Sequence, residues 1–189
     1  MKDTFLTLPA GSAPDRRQPH ALLVGLPGAG KSTAGEAAAA LLSCPFLDFD
    51  REIERREGAT IGHIFAERGE AYFRGREREL TEELVGSAGF ILAPGSGWIA
   101  NEGVVALLRP PGRIIYLRIR PETALQRLGA QQLSRPLLAR GDPQAELRRL
   151  LDARAALYER ADVVLDAEGI DVQQLAIKIA ELASDFRDW

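Results

Sequence analysis

Ala21-Leu22-Leu23-Val24-Gly25-Leu26-Pro27-Gly28-Ala29-Gly30-Lys31-Ser32-Thr33 is the stretch around which the rest of the chain can be read. Four apolar residues, too few for a helix of their own, run into a glycine-rich turn. An alanine-rich helical pattern follows from Ser32 to about Cys44. The turn satisfies G-x-x-x-x-G-K-[ST], with Gly25, Gly30, Lys31 and Ser32 in the required places. Glycines let the backbone curl so that successive N–H groups face phosphate oxygens. A helix starting there adds about half a positive charge at its N-terminus. Lys31 can reach the outer phosphates, and the Ser32 hydroxyl is a ligand for Mg²⁺. The bare pattern recurs by accident, but an accident must also supply the strand before it and the helix after it. The stretch therefore reads as a nucleoside triphosphate site.

The 189 residues suit one domain with a substantial core and are short for two. A net charge of −3 gives no reason to expect a nucleic-acid partner. Arg51-Glu52-Ile53-Glu54-Arg55-Arg56-Glu57 has the look of a solvated helical face. Cys44 is the only cysteine, which excludes a disulfide framework and a thiolate metal cluster, and it reads as a packing residue. No apolar run approaches the length of a membrane helix, and Phe5-Leu6-Thr7-Leu8 is too short for a secretory signal. The expectation is a cytoplasmic enzyme acting on a small molecule, without membrane or nucleic-acid partners.

Residues 1–19 are polar and contain Pro9, Gly11, Pro14 and Arg16-Arg17, which predicts a flexible extension. A single domain over residues 20–185 and a short tail, residues 186–189, complete the expected organisation. Phe46-Leu47-Asp48-Phe49-Asp50 reads as a short strand ending in alternating carboxylates. Helical patterns fill residues 50–57 and 60–85, with a break at Gly69. Phe90-Ile91-Leu92-Ala93 is a strand that ends at Pro94-Gly95-Ser96-Gly97, and a helix follows over residues 101–108. Residues 113–119 form the clearest strand, and Pro121 opens a helix to about Leu128. Residues 129–143 have weak periodicity and are expected to be a mobile loop, after which Asp142-Pro143 starts a helix to Arg160. Val163-Val164-Leu165 and a capped helix from Asp171 close the chain. Strands alternating with helices imply a parallel sheet covered on both faces, with ligands outside the carboxyl ends of the strands. That rule brings residues 25–32, Asp48/Asp50 and residues 95–97 to one rim.

Asp48 and Asp50 are two residues apart, so an extended chain points both to one face. One could then hold a metal-bound water while the other meets the phosphoryl acceptor. The alternative is helix capping, with Asp50 where an N-cap would sit. Arg74 and Glu77 share a helical face one turn apart, a spacing that by itself also suits an intrahelical ion pair.

In this order the motifs closely resemble shikimate kinase over about residues 20–183. They are the phosphate loop, Asp48-x-Asp50, Glu52-Ile53-Glu54-Arg55-Arg56, residues 64–70, Phe73-Arg74-x-x-Glu77, Arg135-Pro136-Leu137-Leu138 and Arg154-x-x-Leu157-Tyr158. The resemblance implies an α/β three-layer sandwich with a five-stranded parallel sheet of order 2-3-1-4-5, a P-loop kinase fold with a lid at about residues 129–143. It implies transfer of the ATP γ-phosphate to the 3-hydroxyl of shikimate, with Mg²⁺; a monomer is the separate expectation. By the same resemblance Gly28, Ala29, Gly30, Lys31, Ser32 and Thr33 hold the nucleotide phosphates and Arg127 lies against adenine. Ser32 and Asp48 serve the metal, Asp50 contacts the reacting hydroxyl, and Arg135 comes down with the lid. Arg74 and Arg154 hold the substrate carboxylate, with Glu77 beside them, and the Gly95, Ser96 and Gly97 backbone holds the substrate body.

Several residues depart from the family pattern, among them Pro94 ahead of the glycine run and Ala156 where proline is frequent, and two bear on the pocket. Ser96 stands within what is usually a triple glycine, and Trp98 follows where a small or aliphatic residue is usual. Both bear on the pocket wall, although Trp98 suits a core position slightly better. A kinase of another carboxylated polyol and a non-catalytic ligand-sensing relative are the competing readings. The second lacks support, because Lys31, Ser32, Asp48, Asp50 and Arg135 are all present.

Overall fold

The computed structural model describes residues 19–129 and 141–186. All but the last residue of the expected extension, most of the expected lid including Arg135, and the last three residues of the chain lie outside them. Short apolar runs bounded by glycine, proline or acid make the strands β1 (Ala21–Val24), β2 (Phe46–Asp48), β3 (Ile91–Ala93), β4 (Arg113–Arg118) and β5 (Val163–Asp166). The helices are α1 (Lys31–Leu42), α2 (Phe49–Glu57), α3 (Ile61–Leu84), α4 (Glu102–Leu108), α5 (Pro121–Leu128), α6 (Pro143–Tyr158) and α7 (Val172–Asp185), with a 3₁₀ turn at Trp98–Ala100. Phe186, assigned to the tail by the sequence, caps α7 and is buried.

The sheet has the expected order β2-β3-β1-β4-β5, and every pairing is parallel. The chain starts at the centre, moves out to β2, returns to β3, then crosses to β4 and β5. The change of direction occurs beside β1, and the crevice this opens at the carboxyl ends is where such sheets bind ligands. Alternate strand residues feed two cores. Ala21, Leu23, Ile115 and Leu117 meet α1, α5, α6 and α7, whereas Leu22, Val24, Ile114 and Tyr116 meet α2, α3 and α4. The small residues of α1 reflect close approach to the sheet. A Cβ on Gly35 would lie 2.7 Å from Leu23 Cδ1 and 2.8 Å from Phe46 Cε2.

Gly69, with φ 78° and ψ 169°, breaks α3 where the sequence predicts a break. The expected solvated face of α2 is only half correct. Arg51 and Arg55 are exposed, but Arg56 donates to both oxygens of Glu83 (2.7 and 2.8 Å) and to Glu52 (2.7 Å). Glu57 likewise accepts from Arg68 (2.8 Å), Arg76 (2.9 Å) and Tyr72 (3.0 Å). Charge runs look solvated in sequence, yet here complementary runs on two neighbouring helices face each other. These pairs tie α2 to the helix that carries Arg74 and Glu77. Among the described residues no helix is long and apolar enough to cross a membrane.

Candidate active site

Gly25 turns the chain off β1 with φ 142°, and a Cβ there would lie 2.7 Å from Leu117 O. Gly30, at φ 97°, is the N-cap of α1 and supplies no side-chain cap. The helical ladder begins with Ala34 N donating to Gly30 O (2.8 Å), so the amides of Lys31, Ser32 and Thr33 precede it. By contrast α2, α3, α4, α6 and α7 have their first turns capped by Asp48, Thr60, Asn101, Asp142 and Asp171. The first turn of α1 also contains no acid. This helix end is open to an anion.

Lys31 Nζ donates to the loop carbonyls of Gly25 and Leu26, both at 3.0 Å. Gly28, Gly30, Lys31, Ser32 and Thr33 line a cleft of about 1080 Å³, ample for two small molecules side by side. Ala29, also in the predicted set, is not among the residues that line the cleft. Its side chain is fully buried and its N–H closes a turn on Leu26 O (3.1 Å), so it shapes the loop from behind rather than facing the cleft. Arg127 also lines the cleft, held by donation to the Ala167 and Ile170 carbonyls, each at 2.8 Å.

Asp48 and Asp50 both line the cleft, but not by strand alternation. β2 ends at Asp48 and Phe49 is already helical, so Asp50 stands in the first turn of α2. The capping role read for Asp50 belongs to Asp48, whose Oδ1 accepts from Arg51 N at 3.1 Å. One bond leaves a carboxylate further lone pairs. Asp48 and the Ser32 hydroxyl fit a Mg²⁺ ion that keeps most of its shell as water and phosphate oxygen. Among the described residues no cluster of three or more His, Cys, Asp or Glu suited to a metal occurs.

Opposite the phosphate loop, Arg74 lies against Gly97 so closely that a Cβ there would be 2.7 Å from Cζ. Its Nη1 donates to Glu77 Oε2 (2.5 Å) and its Nη2 to Glu70 (2.8 Å). Glu77 is buried, and its Oε1 has no hydrogen-bond partner. That oxygen and Asp50 Oδ1 both face the α-carbon of Gly95. Burial pushes the Glu77 carboxyl up to about 7; Arg74 opposes the shift, Asp50 adds to it and Arg154 opposes it. Arg154 reaches this wall from α6 through Ser96; like Glu77, it is not itself among the residues that line the cleft. Its Nη1 donates to Ser96 O (3.0 Å) and Ser96 Oγ (3.3 Å), and Tyr158 Oη donates to the same carbonyl (3.1 Å).

Trp98 is a core residue. It is almost fully buried, and its Nε1 donates to Thr81 Oγ1 (3.0 Å), which donates to Glu77 O (2.7 Å). It does not line the cleft, whereas Ser96 does. Sequence reasoning did not assign to the site the apolar part of its wall, Ile61 with the motif residues Phe65 and Phe73, or the floor near the phosphate loop, Ile170, Val172 and Leu175. The second group follows β5, so the rule about strand ends could have found it. The first follows from nothing local, because these residues also read as helix core.

The family model described as "Shikimate kinase" matches residues 27–184. The shikimate kinase of Thioalkalivibrio sulfidiphilus is 40% identical over 160 residues, covering 84% of each chain. That of Thiobacillus denitrificans is 44% identical over 145 residues, covering 76% of this chain and 79% of the relative. Among solved structures, the shikimate kinase from Acinetobacter baumannii in complex with shikimate superposes with a TM-score of 0.82 at 39% identity, covering 89% of this chain and 94% of that one.

Proposed function

This chain belongs to the shikimate kinase family, and from that premise we propose which of its residues carry the transfer of the ATP γ-phosphoryl group to the 3-hydroxyl of shikimate. The overall activity is that of an ATP- and Mg²⁺-dependent kinase. Phosphoryl transfer asks a protein mainly for positioning and charge neutralisation. The loop amides ahead of Ala34 and the open N-terminus of α1 bind the polyphosphate. Lys31 exchanges its two carbonyl partners for phosphate oxygens, and Arg135, from the segment between α5 and α6, adds a second cation. Arg127 lies against the adenine. Ser32 and the Asp48 carboxylate would hold Mg²⁺, whose bound charge would offset that of the phosphates. Asp50 accepts a hydrogen bond from the acceptor hydroxyl and orients it.

Arg74 and Arg154 take the substrate carboxylate, a planar group that suits their forked donors. Glu77 holds Arg74 in place, and the Gly95–Gly97 backbone supports the ring. The observation that carries this reading is the adjacency of β1 and β3. Their carboxyl ends deliver an anion cradle and a guanidinium-flanked wall to the same cleft. A rival acceptor lost one of its two motivating residues when Trp98 proved to be core.

The test is ADP release with ATP, Mg²⁺ and a panel of shikimate, quinate and other hydroxy acids. Shikimate-dependent release is expected, and Lys31→Ala should lower turnover by about three orders of magnitude with the fold intact. Near-parental activity in that variant would remove the phosphate-loop assignment. We further take residues 20–185 as one kinase domain with a lid at residues 129–143, acting as a cytoplasmic monomer without membrane or nucleic-acid partners. Sedimentation as a single chain, with and without substrates, checks the oligomeric part.

A further inference from the structure

Ser96 touches Arg154 through an atom that glycine would lack. Two bonds leave Arg154 Nη1, one to the Ser96 carbonyl (3.0 Å) and one to the Ser96 hydroxyl (3.3 Å). The carbonyl is also held by Tyr158 Oη (3.1 Å), one helical turn further along α6. Tyr158 is fully buried and stacks on Tyr116 with ring centroids 4.8 Å apart. The peptide at Ser96 is thereby held, and its hydroxyl adds a second acceptor for the same guanidinium nitrogen.

We propose that the Ser96 side chain is a positioning residue for shikimate binding: it occupies Nη1 of Arg154 and so presents the remaining donors of the guanidinium fork to the substrate carboxylate. A guanidinium carries five N–H donors in one plane. Fixing one nitrogen at two points sets the tilt of that plane, and the rotamer freedom of a long side chain is lost before the substrate arrives. With glycine or alanine at this position the carbonyl bond survives alone, and the fork can rotate about it. The cost then appears in substrate affinity rather than in the chemical step, because the carboxylate is remote from the reacting hydroxyl. The inference rests on the reading that Arg154 binds the carboxylate.

The test is a double-mutant cycle of Ser96→Ala and Arg154→Ala, read as the KM for shikimate and, separately, as the shikimate dissociation constant by calorimetry. Ser96→Ala should raise both by about five-fold, with the change in KM rather than kcat and with the KM for ATP unmoved. In the Arg154→Ala background the same change should have an effect of less than about 1.5-fold. Ser96→Gly should match Ser96→Ala, which guards against a fold effect of either variant. An equal effect of Ser96→Ala in both backgrounds overturns the inference while leaving the role of Arg154 intact. A tighter KM in Ser96→Ala also overturns it, because the hydroxyl would then be withholding Arg154 from the substrate. If Arg154→Ala alone leaves shikimate affinity unchanged, the carboxylate reading fails, and the inference with it.

Discussion

Buried Glu77 and half-buried Arg74 form a pair in which only one carboxylate oxygen is used. Arg74 Nη1 donates to Oε2 at 2.5 Å, while Oε1 is sealed beneath the α-carbon of Gly95 without a partner. A fully ionised carboxylate in that position is poorly satisfied, which is the physical content of its upward shift to about 7.

A pH dependence of substrate affinity follows. Below about pH 7 Glu77 is protonated and its hold on Arg74 Nη1 weakens, which favours an incoming carboxylate there while Nη2 stays with Glu70. Above it, Glu77 is charged and competes for the same guanidinium. Binding the substrate anion favours protonated Glu77, so binding takes up a proton and weakens as pH rises through that value. The KM for shikimate should rise roughly three-fold between about pH 6 and pH 8, and Glu77→Gln should flatten this rise. Superimposable profiles for parent and variant would show that the competition does not occur.

Gly97→Ala should act on the same pair by steric means. A Cβ at position 97 would sit 2.7 Å from Arg74 Cζ and 2.8 Å from Nη1. The obstacle is the far end of a flexible side chain, so the arginine moves and the fold survives. The expected outcome is an unchanged melting temperature with a shikimate KM raised by at least about ten-fold, since hydrogen bonds to a charged group are lost. A large loss of stability with unchanged KM would mean that the backbone, not Arg74, had yielded.

His20 governs a separate, acid-sensitive element of stability. It is buried at the start of β1, with Nδ1 accepting from Phe90 N (3.3 Å), Nε2 3.4 Å from Ser87 Oγ, and its ring edge-on to Phe90. Burial lowers its pKa, against opposing hydrogen bonds from the 84–87 backbone. The unfolded chain therefore binds a proton near pH 6.5 when the folded one does not. Stability from this group is complete above that value and is lost as pH falls below it, towards the depressed folded pKa. In thermal denaturation, His20→Phe should be less stable than the parent at pH 7.5, because Phe90 N–H loses its acceptor. Its melting temperature should then fall less between pH 7 and pH 5. An identical decline in both proteins would assign the acid sensitivity elsewhere.

Much of the site was legible because its chemistry is local. Gly25, Gly30, Lys31 and Ser32 act through spacing along a strand–turn–helix unit, and the structure keeps that unit intact. Asp48 and Asp50 were found for an incomplete reason. Strand alternation was expected to aim both, but the helix begins at Phe49, so Asp48 caps it and Asp50 enters from the first turn. A strand that stops one residue early leaves no trace in a pattern of apolar and acidic residues. Ala29 shows a similar limit, since membership of a loop motif does not say which side chains turn into the core.

The sequence alone determined the sheet, the phosphate loop and the set of charged residues available for an anionic acceptor, because periodicity, glycine placement and residue type are properties of short segments. Only the tertiary structure decided what those residues do to one another. Glu77 is perturbed because α3 packs it under Gly95, Arg154 is oriented because α6 brings it to Ser96, and Trp98 leaves the pocket because Thr81 accepts its N–H. Each depends on surfaces far apart in the chain meeting in a dense, poorly hydrated interior, where burial rather than residue type sets the energy of a charge or a hydrogen bond.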